Sequence, residues 1–231
     1  MRRGHGRRVG KMVAMSFAVL LPVKPPARGK SRLVGLPGGA ALSDAGRVAL
    51  ATAFALDTAT ACLGASSVGA VLAVTDDALF ASSLVALGCA AIPDGVTDDL
   101  NGSLRLAAAE AVRRWPRLRP VALCGDLPAL RSADLDAALT DALATAPEGP
   151  CYVADAAGTG TTLYSAPLPT FAPSYGVDSA RLHAASGAVP LAGELVSLRH
   201  DVDTLEDLRA VVPLGLGPRT TLAAAQLGLL V

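Results

Sequence analysis

The chain has 231 residues, 52% hydrophobic and 17% charged, with 20 basic and 20 acidic side chains. That composition supports one large domain, or at most two small ones, around a well-buried core, and it excludes a disordered chain. Aromatic residues make up only 3%, too few for a base-stacking platform on single-stranded nucleic acid.

The zero net charge hides an asymmetry at the start of the chain. Residues 1–11 contain Arg2, Arg3, Arg7, Arg8 and Lys11 and no acidic group, which leaves 15 basic against 20 acidic side chains in the rest. A body with that balance lacks the basic footprint of a nucleic-acid binder. Basic residues followed by the largely apolar 13–23 imitate a signal peptide, but the run enters Lys24-Pro-Pro-Ala-Arg28 with no small-residue cleavage site. No stretch reaches the roughly 20 apolar residues of a membrane helix. Residues 1–15 are therefore expected to be a disordered basic extension, with Met12 and Met15 as alternative starts, and residues 16–231 one domain. Cys62, Cys89, Cys124 and Cys151 form no Cys-x-x-Cys pair and have no ligand spacing to the three His. They read as small buried apolar side chains in a reducing, cytoplasmic setting.

Phe17 to Val23 is a continuous apolar run, the pattern of a strand covered on both faces. A loop with Lys24, Arg28, Lys30 and Arg32 follows. Gly29-Lys30-Ser31 imitates a P-loop, but Lys24 stands where that motif needs its first Gly. The cations alone still suit a polyphosphate. Ser43-Asp44 predicts a helix to about Leu63, Ser67–Thr75 a strand, 78–87 a helix and Gly88–Ile92 a short strand. Asn101 begins another helix, with Leu100, Leu104, Ala107, Ala108 and Ala111 on one stripe, stopped at Trp115-Pro116. A strand at 121–124 runs into Gly125-Asp126-Leu-Pro128, and Ser132-Ala-Asp134 caps a helix with Leu135, Leu139 and Leu143 inward.

The second half breaks this β-α alternation. Cys151–Ala154 is a strand, and Asp155 to Thr162 reads on its own as a Gly/Thr hairpin loop whose hydroxyls also suit an anion. Phe171–Gly176 is a loop, Asp178-Ser179 start a helix holding His183, and Glu194–Leu198 is expected to be a late strand. Thr204 and Asp207 have capping-box spacing for a last helix over 205–212. The pattern is α/β, with a mostly parallel central sheet and helices on both faces.

Asp126 at one strand end and Asp201-Val-Asp203 after another apolar stretch supply three carboxylates, a hard oxygen set suited to Mg²⁺ with phosphates completing the shell. With the lysine loop they point to charge-compensated chemistry on a nucleoside triphosphate. The three are expected within about 5 Å of a common point. Nothing in the sequence suggests a covalent nucleophile.

Leu20-Leu-Pro-Val-Lys24 with Gly29-Lys-Ser-Arg-Leu33 resembles the opening signature of the phosphoenolpyruvate/2-phospho-L-lactate guanylyltransferases. Gly125-Asp-Leu-Pro128, Gly158-Thr-Gly-Thr-Thr162 and Arg199-His-Asp-Val-Asp-Thr204 are similar to that family's later motifs, in the same order, so that the likeness spans about residues 16–221. It implies a single Rossmann-like nucleotidyltransferase domain of the molybdopterin-guanylyltransferase kind, acting in coenzyme F-420 biosynthesis. It further implies transfer of GMP from GTP to the phosphate of the acid, with release of diphosphate. On matching positions, Asp126, Asp201 and Asp203 would hold Mg²⁺, and Lys24, Lys30 and Arg32 would meet the GTP phosphates. Thr161, Gly176 and Ser179 would bind the acid, while Asn101 and Gly102 fall in the segment used near the nucleoside. Asp126, Lys24 and Lys30 would be the catalytic groups, and handover to the next enzyme of the pathway is a further expectation. The motifs do not separate phosphoenolpyruvate, 2-phospholactate and 3-phosphoglycerate, although the Ala-, Arg- and Gly-rich composition resembles actinobacterial members and favours the first. Two other readings fit the residues: a metal-dependent sugar-nucleotide glycosyltransferase using Asp201-Val-Asp203, and a non-catalytic nucleotide-binding domain.

Overall fold

Strand β1 (Ser16–Pro22) forms where the first apolar run predicts it, with Phe17 to Leu21 fully buried. Successive side chains of a strand point to opposite faces, so this run feeds two cores. Phe17, Val19 and Leu21 pack with helices α1 (Asp44–Leu63), α2 (Ala78–Leu87) and α4 (Ser132–Thr145). Ala18 and Leu20 pack against α3 (Leu100–Arg114) and α5 (Ser179–Ala185). Each fully buried Leu or Phe contributes roughly 1.5–3 kcal/mol over its exposed state. The structure, a computed structural model, describes residues 16–27, 30, 32–33, 42–96 and 98–230. The predicted extension at 1–15, and Arg28, Gly29 and Ser31 of the lysine loop, lie outside them.

Among the described residues seven strands make one sheet. The others are β2 (Val68–Val74), β3 (Ala90–Ile92), β4 (Leu118–Leu123), β5 (Cys151–Ala154), β6 (Thr161–Ser165) and β7 (Val189–Pro190), in the order β3-β2-β1-β4-β6-β5-β7. β1 pairs in parallel with both β2 and β4, β2 with β3, and β5 with β7; β6 runs against both its neighbours. The chain winds outward from β1 to β3 and then returns to β4 on β1's other side. A ligand crevice opens outside the carboxyl ends of strands at such a reversal. A third layer packs on the back of α1: Leu50 and Phe54 meet α7 (Leu205–Val211), α8 (Pro218–Gln226) and Val202.

Helix starts follow their caps. Ser43 accepts from Gly46 N, Asp77 from Phe80 N and Asp99 from Gly102 N, and the Thr204/Asp207 capping box is complete. Ser132 departs from expectation. It is the first residue of α4 rather than its cap, and its hydroxyl donates to Ala61 O of α1 at 2.7 Å. The strand expected at 194–198 is one helical turn instead, α6 (Val196–Arg199), because Gly193 (φ 94) and Leu195 (φ 35) turn the chain out of an extended path. β4 begins at Leu118, three residues before the expected strand, and α8 has no counterpart among the expected elements.

Candidate active site

The reversal brings the ends of β1 and β4 together. Gly125 fits there because a Cβ on it would lie 3.0 Å from Pro22 O and 3.2 Å from Val23 Cγ2. Asp126 follows, and its carbonyl accepts from Val202 N at 3.0 Å. That single backbone bond answers whether the two acidic places meet. Val202 is fully buried in the third layer and anchors the segment, so Asp201 and Asp203 flank Asp126. Asp207, having capped α7, also accepts from Asp203 N at 3.1 Å and fixes the approach.

Cations from the loop after β1 meet these carboxylates. Lys30 Nζ bonds Asp126 Oδ2 and, at 2.7 Å, Asp203 Oδ1, while Arg32 pairs with the other oxygen of Asp203. Burial alone would lower the Lys30 pKa, but the charges of Asp126 and Asp203 raise it above its ordinary value, so it is a fixed cation. Asp201 is pushed up to about 6, first by burial and then by the neighbouring Asp126 and Asp203 charges. Burial and the same carboxylates push the Cys124 thiol well up, which rules it out as a nucleophile at neutral pH. Among the described residues no group of three or more metal-ligating side chains is drawn together as it stands. Asp126 and Asp203 converge on one point, the Lys30 ammonium that bonds both, and Asp201 lies close enough to feel both their charges. The donor set fits a hard divalent cation. Among the described residues Asp126 Oδ1 is buried with no hydrogen-bond partner, and a positive group already occupies the gap.

The hairpin adds the other side. Since β6 runs against β4, the start of β6 lies beside the end of β4, with Cys124 N donating to Thr162 O at 2.9 Å. Thr161 therefore stands next to the Asp126 turn. Ala180 N donates to Thr159 O at 3.1 Å and docks α5, which opens with the buried Ser179, on the same hairpin. Gly176 is exposed at φ 138, a conformation that favours glycine. Arg32, Asp155, His200, Asp201, Asp203 and Thr204 help line a cleft of about 370 Å³. A second cleft of about 440 Å³, against Leu63, Val71, Cys89 and Trp115, carries no charged group and lies away from the carboxylates.

No family model matches the sequence. A phosphoenolpyruvate guanylyltransferase from Thermomonospora curvata is 46% identical over 215 residues, covering 92% of this chain and 90% of that one. Its namesake from Streptomyces scabiei is 47% identical over 219 residues, covering 92% and 98%. The chain belongs to the phosphoenolpyruvate guanylyltransferase family. Solved structures share its fold. A Desulfovibrio desulfuricans protein assigned as a nucleotide-diphospho-sugar transferase superposes with a TM-score of 0.67 at 19% identity, covering 93% of this chain and 97% of that one. A Leptospira borgpetersenii cytidylyltransferase gives 0.53 at 14%, covering 89% and 90%.

Three positions singled out from the sequence of this guanylyltransferase-family chain have local partners. Both ends of the Asn101 amide are bonded to Tyr175, Nδ2 donating to its carbonyl at 3.0 Å and Oδ1 accepting from its N–H at 2.8 Å. Gly102 gives its N–H to the Asp99 cap, and a Cβ there would collide with that carboxylate at 2.4 Å. Asp155 accepts from Thr159 N and Gly160 N, so the Gly/Thr segment is a hairpin turn held by its own carboxylate. Lys24 is exposed. Two contributors were not visible in sequence: Val202, whose place between two aspartates was the available signal, and His183, which carried none.

Proposed function

We propose that the chain transfers GMP from GTP to the phosphate of phosphoenolpyruvate, releasing diphosphate, in coenzyme F-420 biosynthesis. Curated relatives at 46–47% identity over nearly the whole chain support this activity over the glycosyltransferase and non-catalytic readings. One structural observation carries the site: the Val202–Asp126 backbone bond, which sets Asp201 and Asp203 beside Asp126 where β1 and β4 end.

Asp126, Asp201 and Asp203 would hold Mg²⁺. When bound, it supplies charge neutralisation on the triphosphate and polarises the phosphorus under attack. Lys24, Lys30 and Arg32 would bind the β- and γ-phosphates, with Lys30 leaving the carboxylates for the leaving diphosphate. The Thr161 and Ser179 hydroxyls and the Gly176 backbone would hold the acid so that its phosphate oxygen faces the α-phosphorus. That oxygen forms the new P–O bond as the bond from the α-phosphorus to the bridging oxygen breaks. No group on the protein becomes covalently bonded. Asn101 would serve the nucleoside side through the Tyr175 loop that it holds, and Gly102 through the helix start.

The test is pyrophosphate release by the purified protein with Mg²⁺, GTP and each of phosphoenolpyruvate, 2-phospholactate and 3-phosphoglycerate, with ATP and CTP as alternative donors. Release with GTP and phosphoenolpyruvate, and a product heavier than the acid by GMP, is expected. No pyrophosphate with any acid would overturn the activity; equal turnover with ATP would overturn the choice of nucleotide.

A further inference from the structure

The reaction above leaves His183 unused, although it is the most enclosed polar ring in the described residues. It is fully buried, stacked on Tyr164 with centroids 4.6 Å apart and flanked by Tyr152 and Tyr175 at 5.7 Å each. Burial holds its pKa down at about 4, so the ring is neutral near pH 7. Both nitrogens are engaged: Nε2 lies 2.8 Å from Ser174 N, and Nδ1 2.9 Å from Thr161 Oγ1.

These two contacts fix every proton between them. A backbone N–H can only donate, so Nε2 is the bare nitrogen and Nδ1 carries the ring proton. Thr161 Oγ1 must therefore accept. With that lone pair committed, the threonine keeps its own O–H to give away, and among the described residues nothing takes it. An isolated hydroxyl is free to rotate and present a lone pair, which an anion repels; this one is held as a donor, and the accepted bond polarises its O–H further. On its other side the ring binds Ser174. Next to Ser174, Tyr175 is clasped by Asn101 and donates its phenol to Ala122 O at 3.1 Å. Residues 174 and 175 lead directly into Gly176.

We propose that His183 is a positioning residue for the acid substrate: Nδ1 fixes the Thr161 hydroxyl as a hydrogen-bond donor to the substrate's anionic group, and Nε2 sets the loop that presents Gly176. The inference rests on the reading of Thr161 as a contact to the phospho-acid.

Two replacements separate the functions of the two nitrogens. The Asn amide nitrogen falls where Nδ1 is, so His183→Asn keeps the donor to Thr161 and loses the loop bond. The Gln amide oxygen falls near Nε2, so His183→Gln keeps the loop bond and loses the donor. The measurements are steady-state kinetics with GTP and phosphoenolpyruvate, thermal melts, and the ¹⁵N shifts of the His183 ring in the wild-type protein. His183→Gln is expected to raise KM for phosphoenolpyruvate roughly tenfold, the worth of one hydrogen bond to a charged group, with KM for GTP unchanged. His183→Asn should recover most of that loss. Thr161→Ala should show a similar rise, and the Thr161→Ala/His183→Gln double variant no more than Thr161→Ala alone. If Thr161→Ala raises KM for the acid while His183→Gln lowers only the melting temperature, His183 is structural and the inference is overturned. If Thr161→Ala leaves that KM unchanged, the substrate reading of Thr161 fails and the inference falls with it. Should His183→Gln not fold, the ¹⁵N shifts decide: a proton on Nε2 overturns the assignment.

Discussion

Asp126 spends one carboxylate oxygen on Lys30 and leaves the other buried without a partner among the described residues. Leaving such an atom unsatisfied costs on the order of 1–3 kcal/mol, more for a charged group. Lys30 adds strain of its own: its φ of 56 lies in the left-handed region, at a cost of roughly 1–2 kcal/mol for a residue with a Cβ. On the function proposed above, a metal taking the carboxylates would relieve the first of these. Asp126→Asn keeps the shape and removes the charge. It is expected to lower turnover at least about a hundredfold, as loss of a preorganised charge does at a reacting phosphate. Mg²⁺ should raise the melting temperature of the wild-type protein and not of the variant, and a chelator should stop pyrophosphate release. Full turnover in Asp126→Asn would make the residue structural.

At the scale of elements, α8 shows why some structure escapes a reading along the chain. Its start has no cap nearby in sequence. Asp57, from the middle of α1, instead accepts from Thr220 N at 2.7 Å and Arg219 N at 3.3 Å, and is almost completely buried. Gly217 lets it in: a Cβ there would stand 2.4 Å from the Asp57 carboxyl carbon. Gly217→Ala should therefore destabilise the fold by about 1–3 kcal/mol through overpacking, in chemical denaturation. An unchanged midpoint would mean that α8 can shift at no cost. Elements with local signals were legible, including α1 from Ser43, α7 from its capping box and β1 from its apolar run. Those fixed by distant partners were not. Arg119 and Pro120 hid the start of β4, because that buried guanidinium is satisfied by the carbonyls of Ala146, Pro147 and Gly149. In the site, residue types betrayed the carboxylates and lysines, but not the Val202 bond or the His183 contacts, which depend on chain paths many residues apart.

For the molecule as a whole, the buried imidazole makes stability depend on pH in a definite direction. His183 titrates at about 4 when folded, against about 6.5 in an unfolded chain, so the unfolded state binds the extra proton first. Its contribution is fully present above about pH 6.5 and is lost as pH falls toward about 4, up to about 3 kcal/mol in all. Among the described residues the ring's partners are three tyrosine rings, the Thr161 hydroxyl and the Ser174 N–H, and burial alone depresses its pKa, with no carboxylate to offset it. Denaturation midpoints from pH 7.5 to 4.5 should fall more steeply in the wild-type protein than in His183→Gln; parallel slopes would contradict the assignment. The four cysteines are all unpaired, and no helix among the described residues is long and apolar enough to cross a membrane.

The reversed strand β6 has a consequence for how such an enzyme can change its diet. Everything proposed for the acid (Thr161, Gly176, Ser179 and His183) lies in one continuous block, residues 151–190, that opens and closes on the far edge of the sheet. It joins the rest of the sheet through the pairing of Val121–Leu123 with Leu163–Ser165, the Asn101–Tyr175 clasp, the Tyr175 phenol on Ala122 O, and Arg199, which donates to Ala154 O. On the proposed assignment, acceptor preference can thus drift within this block while the lysines and aspartates proposed for the phosphates keep their sequence, provided that Asn101 and the Tyr175 loop still fit each other.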